Sequence, residues 1–178
     1  MKAKVNRQEA VSRPEVIWNG FIHVLAMSER KDLASIQVAP HLAFWYDSEV
    51  QNGGHLQYFL NKGLGQARDA LDALQLLGAD AQRAILVEAI EIYERSDASR
   101  WQVESDEDYS SLAMEGPFDE QDAAYYDCAP EMTDLLQRYL DSHTDDFIEF
   151  TDQPVSDPFV SPTTSGLLAR IRRLLQLT

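Results

Sequence analysis

Apolar residues recur at three- and four-residue spacing along almost the whole chain, while the alternating pattern of a half-buried strand is nearly absent. Such spacing places apolar side chains on one stripe of a helix, so the fold class expected is all-α. The organisation read from the sequence is a single multi-helix globular domain over residues 1–150, a Pro-rich linker over 151–165 and an amphipathic C-terminal helix over 166–178. In that last segment Leu167, Leu168, Ile171, Leu174 and Leu175 share one side, and Arg170, Arg172, Arg173 and Gln176 the other. A chain of 178 residues is long enough to bury a core of its own.

Punctuation residues divide the helical pattern. Residues 12–15 fit a capping box with Pro14 in the first turn, opening a helix that buries Val16, Ile17, Phe21, Val24 and Leu25 and ends near Ser28. A second helix is expected over residues 42–51, stopping at Asn52, Gly53 and Gly54 because glycine relieves the backbone conformation that ends helices. Another follows at once from His55. Helices are expected over 66–77 and 80–95, with Asp80 as N-cap, and over 105–114 before a break at Gly116 and Pro117. The pattern then continues over 119–143, interrupted around Pro130.

The charge is segregated. Residues 88–149 hold nineteen Asp or Glu against Arg95, Arg100 and Arg138, a net of −16, whereas residues 1–87 balance nine acids with nine bases. A one-sign field costs a fold self-repulsion, and it points to solubility, steering or an electrostatic partner. The candidate partner-binding carboxylates are Glu88, Glu91 and Glu94 on one helix face, the cluster Glu104, Asp106, Glu107 and Asp108, the turn Asp119, Glu120 and Asp122, and the face of Glu131, Asp134, Asp141 and Asp145. They are expected to form one continuous surface. Direct binding to nucleic acid is disfavoured because phosphates are met by Lys and Arg in number, and an anionic membrane would repel this surface. The expected partner is a basic protein.

Other chemistry finds little support. The opening MKAKVNRQEAVSRPEVIW has no apolar leader core and no run approaches a membrane span, so a soluble, cytoplasmic protein is expected. Cys128 is the only cysteine and is read as a buried small hydrophobe. His23, His41, His55 and His143 are dispersed, and no HExxH, Walker A or GxSxG pattern occurs. Neither an enzyme, a cofactor nor a metal site is expected.

The run FWYDSEVQNGGHLQYFLNKG, residues 44–63, resembles the signature of an all-helical bacterial family whose best-known member is an acidic DNA mimic. The similarity extends over about residues 14–150, through the closing segment EMTDLLQRYLDSHTDDFIEF. His55 stands where an aromatic is usual, and Ser48 where glycine is common. The resemblance implies a helical fold, dimerisation, and binding to a basic DNA-binding protein, such as a transcription regulator, in place of DNA. It does not carry binding residues over. Glu49, Asn52, Gly53 and Gly54 are assigned a structural role, with a pocket of Asp47, Glu49, Asn52 and His55 as the alternative. Two further functions compete with mimicry: an immunity or inhibitor protein against a basic toxin or nuclease, anchored by Tyr109, Tyr125 or Tyr126, and a plain helical scaffold assembled by its C-terminal helix.

Overall fold

The computed structural model describes residues 1–155, so the expected C-terminal helix and all but the start of the expected linker lie outside the described residues. Strand β1 (Ala3–Asn6) leads into α1 (Arg7–Ser12) and α2 (Glu15–Met27). After a 3-10 turn come α3 (Ser35–Leu77) and α4 (Asp80–Arg95), and after a second turn at Ala98–Trp101 come α5 (Asp106–Met114), α6 (Asp119–Tyr126), α7 (Met132–Phe147) and β2 (Ile148–Thr151). The all-α class holds. No helix among the described residues is long and apolar enough to cross a membrane.

Contacts gather into two compact units: Met1–His41 with the chain from Leu136 onward, and Leu42–Leu135. The chain passes from one to the other within α3 and within α7.

The first unit contains a feature that helical periodicity concealed, a two-stranded parallel sheet pairing Ala3 with Ile148 and Asn6 with Thr151. Strands of four residues are too short to display a period of two, and β2 follows directly on the helical pattern of α7. The sheet lies close to α2 because Gly20 has no side chain: a Cβ there would stand 3.0 Å from Ile148 Cδ1 and 3.2 Å from Ala3 Cβ. Phe21 and Phe147, both fully buried, meet edge to face at 4.8 Å.

Two polar devices complete this unit. Buried Gln37 donates to the carbonyls of Met1 and Asp146 at 2.6 and 2.8 Å, while its oxygen accepts from the Ala34 amide and the N-terminal ammonium at 3.1 and 3.3 Å. Pro40 lies inside α3 and has no N–H to give to the Ile36 carbonyl four residues back. The Tyr139 hydroxyl donates to that carbonyl at 2.7 Å, supplying the bond the proline cannot.

In the second unit the core is built on Tyr46, Tyr58, Phe59, Leu74, Leu86 and Phe118. The expected helices appear with their boundaries shifted. α3 begins at Ser35 rather than near Leu42, and it leaves helical geometry at Gly53 and Gly54, as the glycines indicated, and again at Gly63. The capping box over residues 12–15 does not form: Ser12 ends α1, its hydroxyl donating to the carbonyls of Gln8 and Glu9, and α2 starts behind Pro14. Asp80 is not the N-cap of α4 but its first residue, behind Ala79, where its charge favours the helix N-terminus. The interruption at Pro130 is a cis Ala129–Pro130 peptide whose proline carbonyl accepts from Gln82 Nε2 at 2.7 Å. Cys128 is a free thiol and only half-buried, against the expectation of full burial.

Replacing Tyr139 by Phe keeps the ring and removes the hydroxyl that serves Ile36; urea denaturation is expected to show a loss of about 1 kcal/mol.

Candidate functional site

The unit Leu42–Leu135 contains twenty Asp and Glu against five Lys and Arg, a net of −15, and the rest of the chain holds ten of each. The whole formal charge of the protein therefore belongs to one unit. This redraws the boundary read from the sequence, since Asp141 and Asp145 fall in the other unit, and the residues on α7 do not all contribute to the acidic one.

Within the acidic unit, the elements decide which carboxylates face solvent. α4 buries Gln82, Leu86, Ala89 and Ile90, which turns Glu88, Glu91 and Glu94 outward. Two of the three carry counter-charges, Glu91 from Arg95 one turn on and Glu94 from Arg68 of α3. Ser105 caps α5 by accepting from the Asp108 amide at 3.1 Å, and Asp106, Glu107 and Asp108 fill its first turn, where anions favour the helix dipole. The Asp108 carboxyl is held below its usual range by the Ser105 hydroxyl at 2.7 Å and then by the Glu104 amide at 3.3 Å. Asp119 and Glu120 begin α6, and Glu131 and Asp134 are also exposed. Glu115 is bridged by Arg100 at 2.8 Å. Among the described residues, Glu88, the Glu104 to Asp108 cluster, Asp119, Glu120, Glu131 and Asp134 have no ion-pair partner.

Carboxylates this dense need a firm base. It is an aromatic stack: Phe59 against Tyr93 at 4.7 Å, Tyr93 against Trp101 at 4.6 Å and 9°, and Trp101 against Phe118 at 5.6 Å and 20°. The Trp101 indole also donates to the Tyr93 carbonyl at 3.0 Å. Each such pair contributes roughly 0.5–1.5 kcal/mol beyond burial. The stack thereby holds the segment between α4 and α6 against mutual repulsion.

Asp122 is the exception among the surface candidates. One carboxylate oxygen accepts from the His55 backbone amide at 2.8 Å and from His55 Nδ1 at 2.6 Å. It caps the helix that restarts after the double glycine, although it comes from 67 residues further along the chain. With Nδ1 donating to the carboxylate, Nε2 of the fully buried His55 is left to accept from the Tyr46 hydroxyl at 2.9 Å. Burial pushes the Tyr46 phenol well above its usual range, so it remains a donor. Gly54 makes this geometry possible. Its φ of +72° and ψ of −176° lie in a region open essentially to glycine alone, and a Cβ there would stand 2.3 Å from Asp122 Oδ2.

Of the four residues of the alternative pocket, Glu49 and Asn52 meet on the Gln57 amide, while Asp47 and His55 are held by Tyr125 and Asp122. Buried Glu49 accepts from Gln57 and Asn61 at 2.8 Å each and pairs with Lys62 at 3.1 Å, and the Lys62 ammonium lies 4.1 Å from the centre of the Trp45 ring. Asn52 donates to Gln57 at 3.0 Å. Asp47 instead accepts from the Tyr125 hydroxyl at 2.8 Å. Burial pushes the Asp47 carboxyl above its usual range, against the hydrogen bonds from Tyr125 and Gln51 that favour its charge. The pairings of Lys62 with Glu49 and of Tyr125 with Asp47 are not identifiable from the sequence because the partners lie 13 and 78 residues apart. In the first unit Asp141 accepts from Gln137 at 2.7 Å, while Asp145 is exposed and its carbonyl accepts from Lys2. Among the described residues no group of three His, Cys, Asp or Glu side chains is arranged to hold a metal ion.

These features define a helical protein with one strongly acidic unit built around a capped double-glycine break. The chain belongs to the DMP19-like protein family, whose model matches residues 31–143, more than half of the chain and all of the acidic unit. No curated protein and no solved structure matches it.

Gly54→Ala is expected to cost about 2–4 kcal/mol, from backbone strain and the lost cap together. Gly65→Ala is the control, on an exposed helical position with nothing within 4 Å, and is expected to be neutral or to stabilise by roughly 0.5–1 kcal/mol. Thermal unfolding of both variants checks the pair. Asp47 gives a pH signature. Well below the ordinary carboxylate value of about 3.9 it is neutral folded and unfolded, and as pH rises through its raised folded value the fold bears an increasing cost for the buried charge. The stability of Asp47→Asn relative to the parent, from denaturation at a series of pH values, is expected to be more favourable at about pH 7 than near pH 4.

Proposed function

We propose that the protein is a DNA mimic, whose acidic unit occupies the DNA-binding face of a basic protein such as a transcription regulator and competes there with DNA. The observation that carries this reading is the concentration of the net −15 in a unit of 94 residues, with most of its candidate carboxylates exposed and few of them ion-paired. Duplex DNA carries one charge per about 1.7 Å of axis, so this charge equals that of roughly 25 Å of duplex. A compact unit of this length is on the order of 30 Å across, which makes its charge per length comparable with that of DNA. Membership of the DMP19-like family supports the same reading through the resemblance to an acidic DNA mimic.

The inhibitor reading is less favoured because one of its proposed aromatic anchors, Tyr125, is buried and committed to Asp47. The small cleft beside Asp119 and Asp122 measures about 70 Å3, too little to enclose a large side chain cluster. Tyr126 is 56% exposed, with its hydroxyl donating to the Val50 carbonyl at 3.2 Å.

The test is competition. A basic DNA-binding partner captured from native extract should be released from the protein by rising salt and by duplex DNA. Changing Glu104, Asp106, Glu107 and Asp108 to their amides should weaken the complex about tenfold or more at low salt and flatten its salt dependence. A complex indifferent to both salt and these changes would overturn the proposal.

A further inference from the structure

Two of the asparagines in the chain, Asn19 and Asn52, are followed by glycine. An Asn–Gly pair is open to spontaneous deamidation, because the glycine has no side chain to obstruct the attack of its nitrogen on the asparagine side chain. That nitrogen adds to the side-chain carbonyl carbon, the new C–N bond closes a succinimide ring, and the side-chain amide leaves as ammonia with the proton of the glycine N–H. Water then opens the ring at either carbonyl, leaving aspartate or its isomer, in which the main chain runs through the former side-chain carbon. Closure requires the asparagine backbone to turn out of the helical ψ.

The fold treats the two pairs differently. Asn19 and Gly20 lie inside α2, which stays helical from Glu15 to Met27, and Gly20 is pressed against the sheet. Turning the backbone there would break the helix on both sides of Asn19. Asn52 is exposed and stands at the break in α3, where the next two residues, Gly53 and Gly54, have already left helical geometry. What holds it is a side chain: Gln57 Oε1 accepts from Asn52 Nδ2 at 3.0 Å and occupies the space a Gly53 side chain would need, a Cβ there standing 2.3 Å from it. The other end of the same amide, Gln57 Nε2, donates to buried Glu49 at 2.8 Å. We propose that Asn52 is a site of spontaneous deamidation and that Gln57 sets its rate. The product carboxylate only accepts hydrogen bonds, so it loses its bond to Gln57 Oε1; if the Gln57 amide turns over to meet it, buried Glu49 loses that donor instead. This inference is independent of DNA mimicry.

Incubating the full chain at neutral pH and mapping aspartate and isoaspartate by peptide mass spectrometry tests it, with Asn19 as the internal reference. In the folded parent, conversion at Asn52 is expected to run several-fold faster than at Asn19, and in urea the two are expected to converge. Gln57→Ala is expected to speed Asn52 several-fold further and to leave Asn19 at the parent rate; a rise at both sites marks global unfolding of the variant, and the ratio in the parent then decides. Equal conversion at the two sites of the folded parent, faster conversion at Asn19, or the same ratio persisting in urea would each overturn the proposal, the last by assigning the difference to sequence and not to the fold. So would a folded Gln57→Ala variant that converts at the parent rate. Asn52→Asp, which carries the product charge, is expected to lower the midpoint of thermal unfolding, and an unchanged midpoint overturns the role given to Gln57.

Discussion

The acidic unit depends on one carboxylate beneath one amide, Asp122 under the His55 N–H. A helix that stops at two glycines and starts again exposes a fresh set of unsatisfied donors, and the restart needs an acceptor to be stable in the interior. Asp122 supplies it from α6, and the same oxygen holds the His55 ring, which in turn accepts from Tyr46. The break in α3 is therefore a joint to α6 and not a loose turn. Gly54 is required because any side chain would occupy the space of that carboxylate.

Around this joint the unit balances two opposed tendencies. Its surplus of carboxylates resists compaction, while burial of Tyr46, Tyr58, Phe59, Trp101 and Phe118 favours it. The aromatic stack lies under the segment where acids are densest, and arginines are placed on Glu91, Glu94 and Glu115 at its margins. The remainder is a set of ordered carboxylates on the outside with no ion-pair partner among the described residues, several at helix N-termini where they also favour the fold. Exposed anions thus cost the fold less than their number suggests, which is compatible with their serving a partner.

Much of the architecture was legible in the residues. The end of α2 at Ser28, the break at Gly53 and Gly54, the short helix up to Met114 and the interruption at Pro130 all arise from local chemistry, and all appear. The sheet was not legible, because its strands are four residues long and their partner lies at the other end of the chain. The start of α3 was misplaced because Pro40 argues locally against a helix, and Tyr139, which offsets the missing hydrogen bond, lies about a hundred residues away. Ser12 offered a cap that the chain does not use, since the same hydroxyl bonds back into α1. Among the site candidates, the exposed face of α4 was readable from spacing and the acids at the start of α5 from their clustering, whereas nothing local distinguished Asp122 from Asp119 and Glu120.

By itself the sequence determined the helical class, most of the breaks between helices and the sign of the charge, because these depend on side-chain spacing and on the intrinsic preferences of glycine and proline. Only the tertiary structure decided which carboxylate turns inward, which are neutralised, and that the charge belongs to a single unit. Each of those outcomes is set by contacts between residues far apart in the chain, and the energy of a carboxylate depends on what surrounds it rather than on its neighbours in sequence.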